Sequence, residues 1–167
     1  GARIKPIVAG GGQQRGLRSG TENTSGIAGM VAAVQSYPSD AMERMRGLKR
    51  LLLSLLTETL PETTVAGLPV DDPMSAGHIL NASFPPVRAE TLLHALEADG
   101  ICVGTGSACS SKKGRRSPVL TAMHLPPQVM DSAIRMSLCP FNTEEEMRYT
   151  AEKIIERVGQ LRRFTRR

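Results

Sequence analysis

Ala133-Ile134-Arg135-Met136-Ser137-Leu138 alternates apolar and polar side chains with a period of two. That is the period of a strand, whose successive side chains leave opposite faces of the backbone. Ile134, Met136 and Leu138 then face a core, while Arg135 and Ser137 share the other face. An arginine in that position is either a solvated edge residue or a clamp for a carboxylate, and the pattern alone does not choose. A second alternating run, His78 to Phe84, sets Leu80, Ala82 and Phe84 against Ile79, Asn81 and Ser83, and Pro85-Pro86 closes it. The short apolar run Ile101 to Val103 reads as a third strand.

Helices surround these runs. Asp40 with Glu43 has the form of a capping box, and Met42, Met45, Leu48, Leu52, Leu55, Leu56 and Leu60 follow helical spacing up to Pro61. About twenty residues at ~1.5 Å each make a rod of roughly 30 Å, long enough to link two domains. Arg88 to Asp99 is amphipathic and ends at Gly100. Ser117-Pro118 opens a short helix to His124, and Pro126-Pro127 breaks it. Thr143 and Glu146 start the last helix, whose stripe is Met147, Ala151, Ile154, Ile155, Val158 and Leu161. Upstream, the small residues between Ser25 and Gln35 predict a helix packed closely on another element and ended by Tyr37-Pro38. Ile4, Ile7 and Val8 suit a short strand, and residues 63–66 and 70–77 read as turns.

From the long helix onward the order is helix, strand, strand, helix, strand, strand, helix. This predicts an α/β chain whose main part is an α+β unit, a small mostly antiparallel sheet packed with helices.

Composition excludes several classes. The 167 residues lack any apolar run near the ~20 of a membrane span, and no signal peptide opens the chain. Three cysteines without a close pair argue against a disulfide framework and suit a reducing cytosol. The histidines, His78, His94 and His124, have no metal-ligand spacing with a cysteine, so no metal site is expected. The net charge of +5 gathers in Lys112 to Arg116 and in the tail Arg162, Arg163, Arg166 and Arg167. With no nucleic-acid motif beside them, the tail reads as solvated charge.

Gly104-Thr105-Gly106-Ser107-Ala108-Cys109-Ser110-Ser111 sets one cysteine among small residues. Gly104 and Gly106 permit positive φ and a sharp turn. Cys102, between Ile101 and Val103, has the pattern of a buried structural thiol. Cys109 instead has an exposed, electropositive setting that favours the thiolate. A reactive nucleophile and an incidental thiol in a turn both remain open. After Gly10-Gly11-Gly12, the polar stretch Gln13 to Asn23, with Arg15, Arg18, Thr21 and Glu22, is either an anion-binding loop or a solvated one.

Four stretches in register resemble the cysteine desulfurases of the NifS/IscS type, fold-type I pyridoxal-phosphate enzymes of the class V aminotransferase family. They are the run from Gly10-Gly11-Gly12 to Thr21-Glu22-Asn23, Ile79-Leu80-Asn81-Ala82-Ser83-Phe84, Gly106-Ser107-Ala108-Cys109, and Ile134-Arg135-Met136-Ser137-Leu138. The resemblance implies that Cys109 takes sulfur from pyridoxal-bound L-cysteine as a persulfide and leaves L-alanine. It implies that Arg135 pairs with the substrate carboxylate, with Asn81 near the mouth of the site. Thr21 would reach the phosphate of pyridoxal 5'-phosphate held by the other subunit of a homodimer. The Ser-Ala-Cys-Ser-Ser form implies delivery to a sulfur acceptor or Fe-S scaffold protein, with Lys112 to Arg116 meeting an acidic acceptor. Neither nucleic acid nor membrane is an expected partner.

Two departures stand out. Leu138-Cys139-Pro140 replaces the family's usual Leu-Gly followed by a basic residue. The family's Schiff-base lysine lies in Ser/Thr-x-His-Lys, a context that none of Lys5, Lys49, Lys112, Lys113 and Lys153 has. The resemblance therefore implies the last two-fifths of such an enzyme, inactive alone. Residues 1–37 would be the end of its large cofactor domain and 38–167 its small domain. A stand-alone sulfur-carrier or dimer-forming module is the other expectation.

Overall fold

The computed structural model describes residues 4–106 and 116–165, which fall into two compact units, Gly1–Tyr37 and Pro38–Arg167. Cys109 and the basic residues 112–115 lie outside the described residues.

In the first unit Val8 and Arg18 form a single parallel bridge, so the apolar start is no strand. A short turn, Gln13–Gly16, lies between them and contains Gln14 at φ 53° and Arg15 at φ 58°, both left-handed. Ser19 ties the loop shut by donating to the Gly11 carbonyl at 2.9 Å. Helix α1 (Thr24–Ser36) is capped by Asn23, which accepts from Gly26 N–H. The close packing expected of α1 is absent, since none of its residues is buried. Ile27, Met30 and Val34 are exposed.

The second unit holds α2 (Ala41–Thr59), β1 (Thr64–Val65), β2 (Ile79–Ser83), α3 (Ala89–Ala98), β3 (Gly104–Thr105), α4 (Pro118–Ala122), α5 (Pro127–Asp131), β4 (Ala133–Ser137) and α6 (Glu144–Thr165). The strands order as β1-β2-β4-β3, every pair antiparallel. The alternation of β4 works as read: Ile134 and Met136 are buried, Arg135 and Ser137 exposed. Leu80 and Ala82 of β2 join them in a core with Phe84, Met45, Leu52, Leu56, Leu92, Leu96, Ile154 and Val158. Burial of each large apolar side chain contributes roughly 1.5–3 kcal/mol. Helices α2, α3 and α6 thus cover one sheet face.

Local chemistry explains several departures from the sequence reading. Asp40 makes no side-chain cap bond, so the capping box expected at α2 is not formed. The one at α6 is: Glu146 N–H donates to Thr143 Oγ1 at 3.2 Å and Thr143 N–H to Glu146 Oε2 at 3.0 Å. The run 101–103 forms no ladder. Its Ile101 and Val103 pack on the core, and pairing begins at Gly104. Pro126-Pro127 does not only break a helix, since Pro127 is the first residue of α5. Arg162 is not solvated charge: it is mostly buried, pairs with Glu62 and donates to the Pro85 carbonyl.

Asp99, after α3, accepts two bonds from Arg157 of α6, at 2.7 and 2.6 Å, and these hold its carboxyl below the usual range. A lowered carboxyl stabilises the fold above its unfolded value and loses that contribution as pH falls through the folded value. Asp99→Asn is therefore expected to flatten the loss of stability below about pH 4. Urea unfolding at several acidic pH values checks this, and an unchanged slope would count against it.

Candidate functional site

The sheet face opposite the helices carries the polar residues of the alternating strands. Asn81 of β2 pairs in register with Arg135 of β4, and Arg135 pairs with Gly104 of β3. Directly opposed residues stand ~4.5–5.5 Å apart at Cβ, so Asn81 and Arg135 are neighbours on that face. A β-carbon added to Gly104 would lie 3.2 Å from Arg135 Nη2, so the guanidinium rests over the glycine. Neither Gly104 nor Gly106 has positive φ: Gly104 is extended in β3, and Gly106 lies in a turn without it. Their missing side chains make room instead, Gly104 for Arg135 and Gly106 for Ser117.

The Arg135 side chain is exposed and makes no hydrogen bond or ion pair with the described residues. Asn81 Oδ1 is buried and accepts no hydrogen bond there. An acceptor left so costs about 1–3 kcal/mol, a cost that a ligand donor would remove. A free guanidinium fork beside an unsatisfied amide can take a carboxylate and one adjoining donor. In the sequence Cys109 follows Gly104 by five residues and lies outside the described residues.

Thr21 lies in the first unit, exposed, in a turn organised by Arg18, whose Nη1 donates to the Gly20 and Thr21 carbonyls at 3.0 Å each. Arg18 is thus a brace for the turn, and Arg15 stands exposed on a left-handed backbone. An exposed hydroxyl here suits one phosphate contact. Amine chemistry is less well served. Lys49 is buried and donates to Ser75 Oγ and the Ala76 carbonyl at 3.0 Å each, and burial lowers its pKa. Lys153 pairs with Glu156 at 2.9 Å. Neither lies in the Asn81–Arg135–Gly104 row. Each unit taken by itself, the Asn81–Arg135–Gly104 row offers a place for a carboxylate and Thr21 an exposed hydroxyl.

Cys102 is exposed, against its reading as a buried structural thiol. With Ser137 and Tyr149 it lines a shallow hollow of about 240 Å³. Cys139 is exposed as well. Among the described residues no group of acidic, histidine or cysteine side chains could hold a metal ion, and no helix is long and apolar enough to cross a membrane. His94 is exposed beside Glu97 at 3.3 Å.

Sequence reasoning missed one contact near the site. Arg116, counted there in a basic cluster, forms a two-point ion pair with Asp131, through Nε to Oδ1 at 2.9 Å and Nη2 to Oδ2 at 3.1 Å. Fifteen residues separate the partners, and no helical or strand period links them.

The family whose pattern matches is Aminotransferase class-V, over residues 8–149. Among curated proteins, the cysteine desulfurase IscS of Clostridium botulinum is 34% identical over 99% of this chain and 42% of its own length. The cysteine desulfurase IscS of Methanosarcina thermophila is 35% identical over 99% and 41%. A solved NifS-like protein superposes with a TM-score of 0.76 at 38% identity, covering 96% of this chain and 40% of that one. The NifS-like protein from Rickettsia africae gives 0.76 at 26% identity, over 95% and 41%. The chain spans about two-fifths of the length of the relatives it matches.

Proposed function

The chain belongs to the aminotransferase class-V family, and on that premise we propose that it is the substrate-binding and sulfur-accepting part of a pyridoxal-phosphate-dependent cysteine desulfurase. The observation that supports this reading is the Asn81–Arg135–Gly104 row on the sheet face opposite the helices, with Cys109 following β3 in the sequence. The similarity to proteins named cysteine desulfurase supports the choice of L-cysteine as substrate.

In this reading Arg135 binds the α-carboxylate of L-cysteine through both arms of its fork. Asn81 Oδ1 accepts from a neighbouring substrate donor. Thr21 contacts the cofactor phosphate across a homodimer. The cofactor supplies an electron sink at the substrate α-carbon. Cys109, as thiolate, attacks the substrate sulfur, so that a sulfur–sulfur bond forms as the carbon–sulfur bond breaks. The bonding pair stays with the carbon, a proton completes L-alanine, and Cys109 keeps the sulfur as a persulfide. The sum is cysteine plus thiol giving alanine plus persulfide, with no outside oxidant. The persulfide then passes to a sulfur acceptor or Fe-S scaffold protein in a reducing cytoplasm.

The test is alanine formation from L-cysteine with pyridoxal phosphate and a thiol reductant. The complete protein containing these residues is expected to release alanine and sulfide in equal amounts. The 167-residue chain alone is expected to give no more than the cofactor alone. A rate from the chain alone, abolished by Cys109→Ala, would overturn the division of labour proposed here.

Gly104→Val gives a further expected outcome. Its branched side chain enters the space under the Arg135 fork, so KM for L-cysteine should rise about tenfold with the melting temperature little changed. Steady-state kinetics and a thermal melt check it; an unchanged KM would show that the fork does not need that floor.

A further inference from the structure

Helix α2 carries three cations, Arg46, Lys49 and Arg50, at a spacing of i, i+3 and i+4 that sets them on one face. Arg50 forms an ion pair with Asp71. Arg46 donates to the Val70 and Asp72 carbonyls at 2.8 and 3.0 Å, and the Glu43 carboxylate stands 3.8 Å from it. Lys49 is different. It is only 5% exposed, and its Nζ donates to Ser75 Oγ and to the Ala76 carbonyl, both neutral. Among the described residues no carboxylate pairs with it, and the charge that acts on it is a second cation, Arg46.

A lysine so deeply buried is normally paired, because an ammonium taken out of water without a counter-charge is costly. Burial lowers the pKa of Lys49 accordingly. The same side chain borders a cavity of about 170 Å³, together with Ser75 and Ala76. The lysine and its two acceptors are thus the polar end of that cavity. Val65, Leu68 and Ile79 add apolar wall. A cavity of about 150 Å³ holds a benzene molecule, so there is room here for an anionic headgroup and a short alkyl chain. An inorganic anion would use the charge and leave the apolar wall idle, whereas a hydrocarbon would leave the charge unpaired.

We propose that this cavity binds a short-chain monocarboxylate, with the carboxylate on Lys49 Nζ and the alkyl chain along Val65, Leu68 and Ile79. The site does not depend on the desulfurase reading above, and Arg135 is not among its residues. Asn81 borders the cavity and also pairs in register with Arg135. The two carboxylate positions are therefore neighbours along the sheet, and the experiment has to tell them apart. A hydrogen bond between ionised partners is about twice as strong as a neutral one, so the charge of the ligand decides its affinity.

The test uses the complete protein and follows butyrate by saturation-transfer NMR titration, with butyramide as an uncharged ligand of the same size. Butyrate should bind at least about tenfold more tightly than butyramide. Lys49→Met keeps the stem and removes the charge, and it should erase that difference while butyramide binding stays within about twofold. Ala66→Leu fills the cavity from its wall and leaves Lys49 in place, so both ligands should weaken about tenfold or more. A thermal melt shows whether each variant folds. Should Lys49→Met not fold, Ala66→Leu and the butyrate-to-butyramide ratio of the wild type decide the matter. Arg135→Gln should leave butyrate affinity within about twofold, since its guanidinium is outside the cavity. No saturable butyrate binding, equal affinity for the two ligands, or binding that survives both Lys49→Met and Ala66→Leu would overturn the proposal. Butyrate binding lost in Arg135→Gln and kept in Lys49→Met would assign the ligand to the substrate row, which overturns it as well.

Discussion

Cys109→Ser in the complete protein is expected to lower alanine formation from L-cysteine by at least about a thousandfold, because the thiolate nucleophile is lost. A serine hydroxyl stays protonated near neutrality, and an oxygen attacking sulfur would have to form a weak oxygen–sulfur bond. The change is one atom among Ser107, Ala108, Ser110 and Ser111, so the melting temperature should hold. Cys102 and Cys139 provide the internal comparison. Both are exposed thiols, yet neither lies in the glycine-flanked stretch, and Cys102→Ser and Cys139→Ser should keep most of the activity. Mass spectrometry after one round with L-cysteine, without reductant, should find one added sulfur on the Cys109 peptide. Finding it on Cys102 instead, with turnover surviving Cys109→Ser, would move the nucleophile to the other thiol.

The sheet and its helices were legible because their signals are local. The period of two in Ala133–Ser137 and Ile79–Ser83 says which residues enter the core, and the structure buries Ile134, Met136, Leu80 and Ala82 accordingly. The Thr143–Glu146 box works in the same way, through partners three residues apart. Failures came where partners are distant or short. The two-residue strand β1 exists only because Thr64 and Val65 meet Ser83 and Ala82, and two residues carry no period. The run 101–103 has strand composition, but its neighbour in the sheet is reached only at Gly104.

The site divides along the same line. Sequence pattern put Arg135 and Ser137 on one face, and the register then added Asn81 and Gly104 beside Arg135. Which glycine would lie under the guanidinium depends on that register, which no single strand encodes. Arg116 was misread for the same reason: in sequence it belongs to a basic run, and in space to Asp131. The assignment of Cys109 rests on its sequence stretch.

Arg135→Gln should lower kcat/KM for L-cysteine by about 100- to 1,000-fold, mainly through KM, as expected when one partner of a charge-assisted pair is removed. No described residue supplies the Arg135 side chain with a carboxylate or carbonyl, so among the described residues its fork is not used. Glutamine keeps hydrogen-bonding capacity and most of the stem, which isolates the charge and the planar fork. Arg135→Lys should fall between the two, since lysine restores a positive charge but cannot make two parallel bonds. Cysteamine, which is cysteine without its carboxylate, separates a clamp from a general loss of shape. If Arg135 binds the carboxylate, wild type and Arg135→Gln should handle cysteamine equally slowly, because the substrate has already lost what the arginine would hold. If the substitution slows cysteamine as much as L-cysteine, Arg135 acts on something other than the carboxylate, and the substrate's orientation on the sheet must be assigned to other residues.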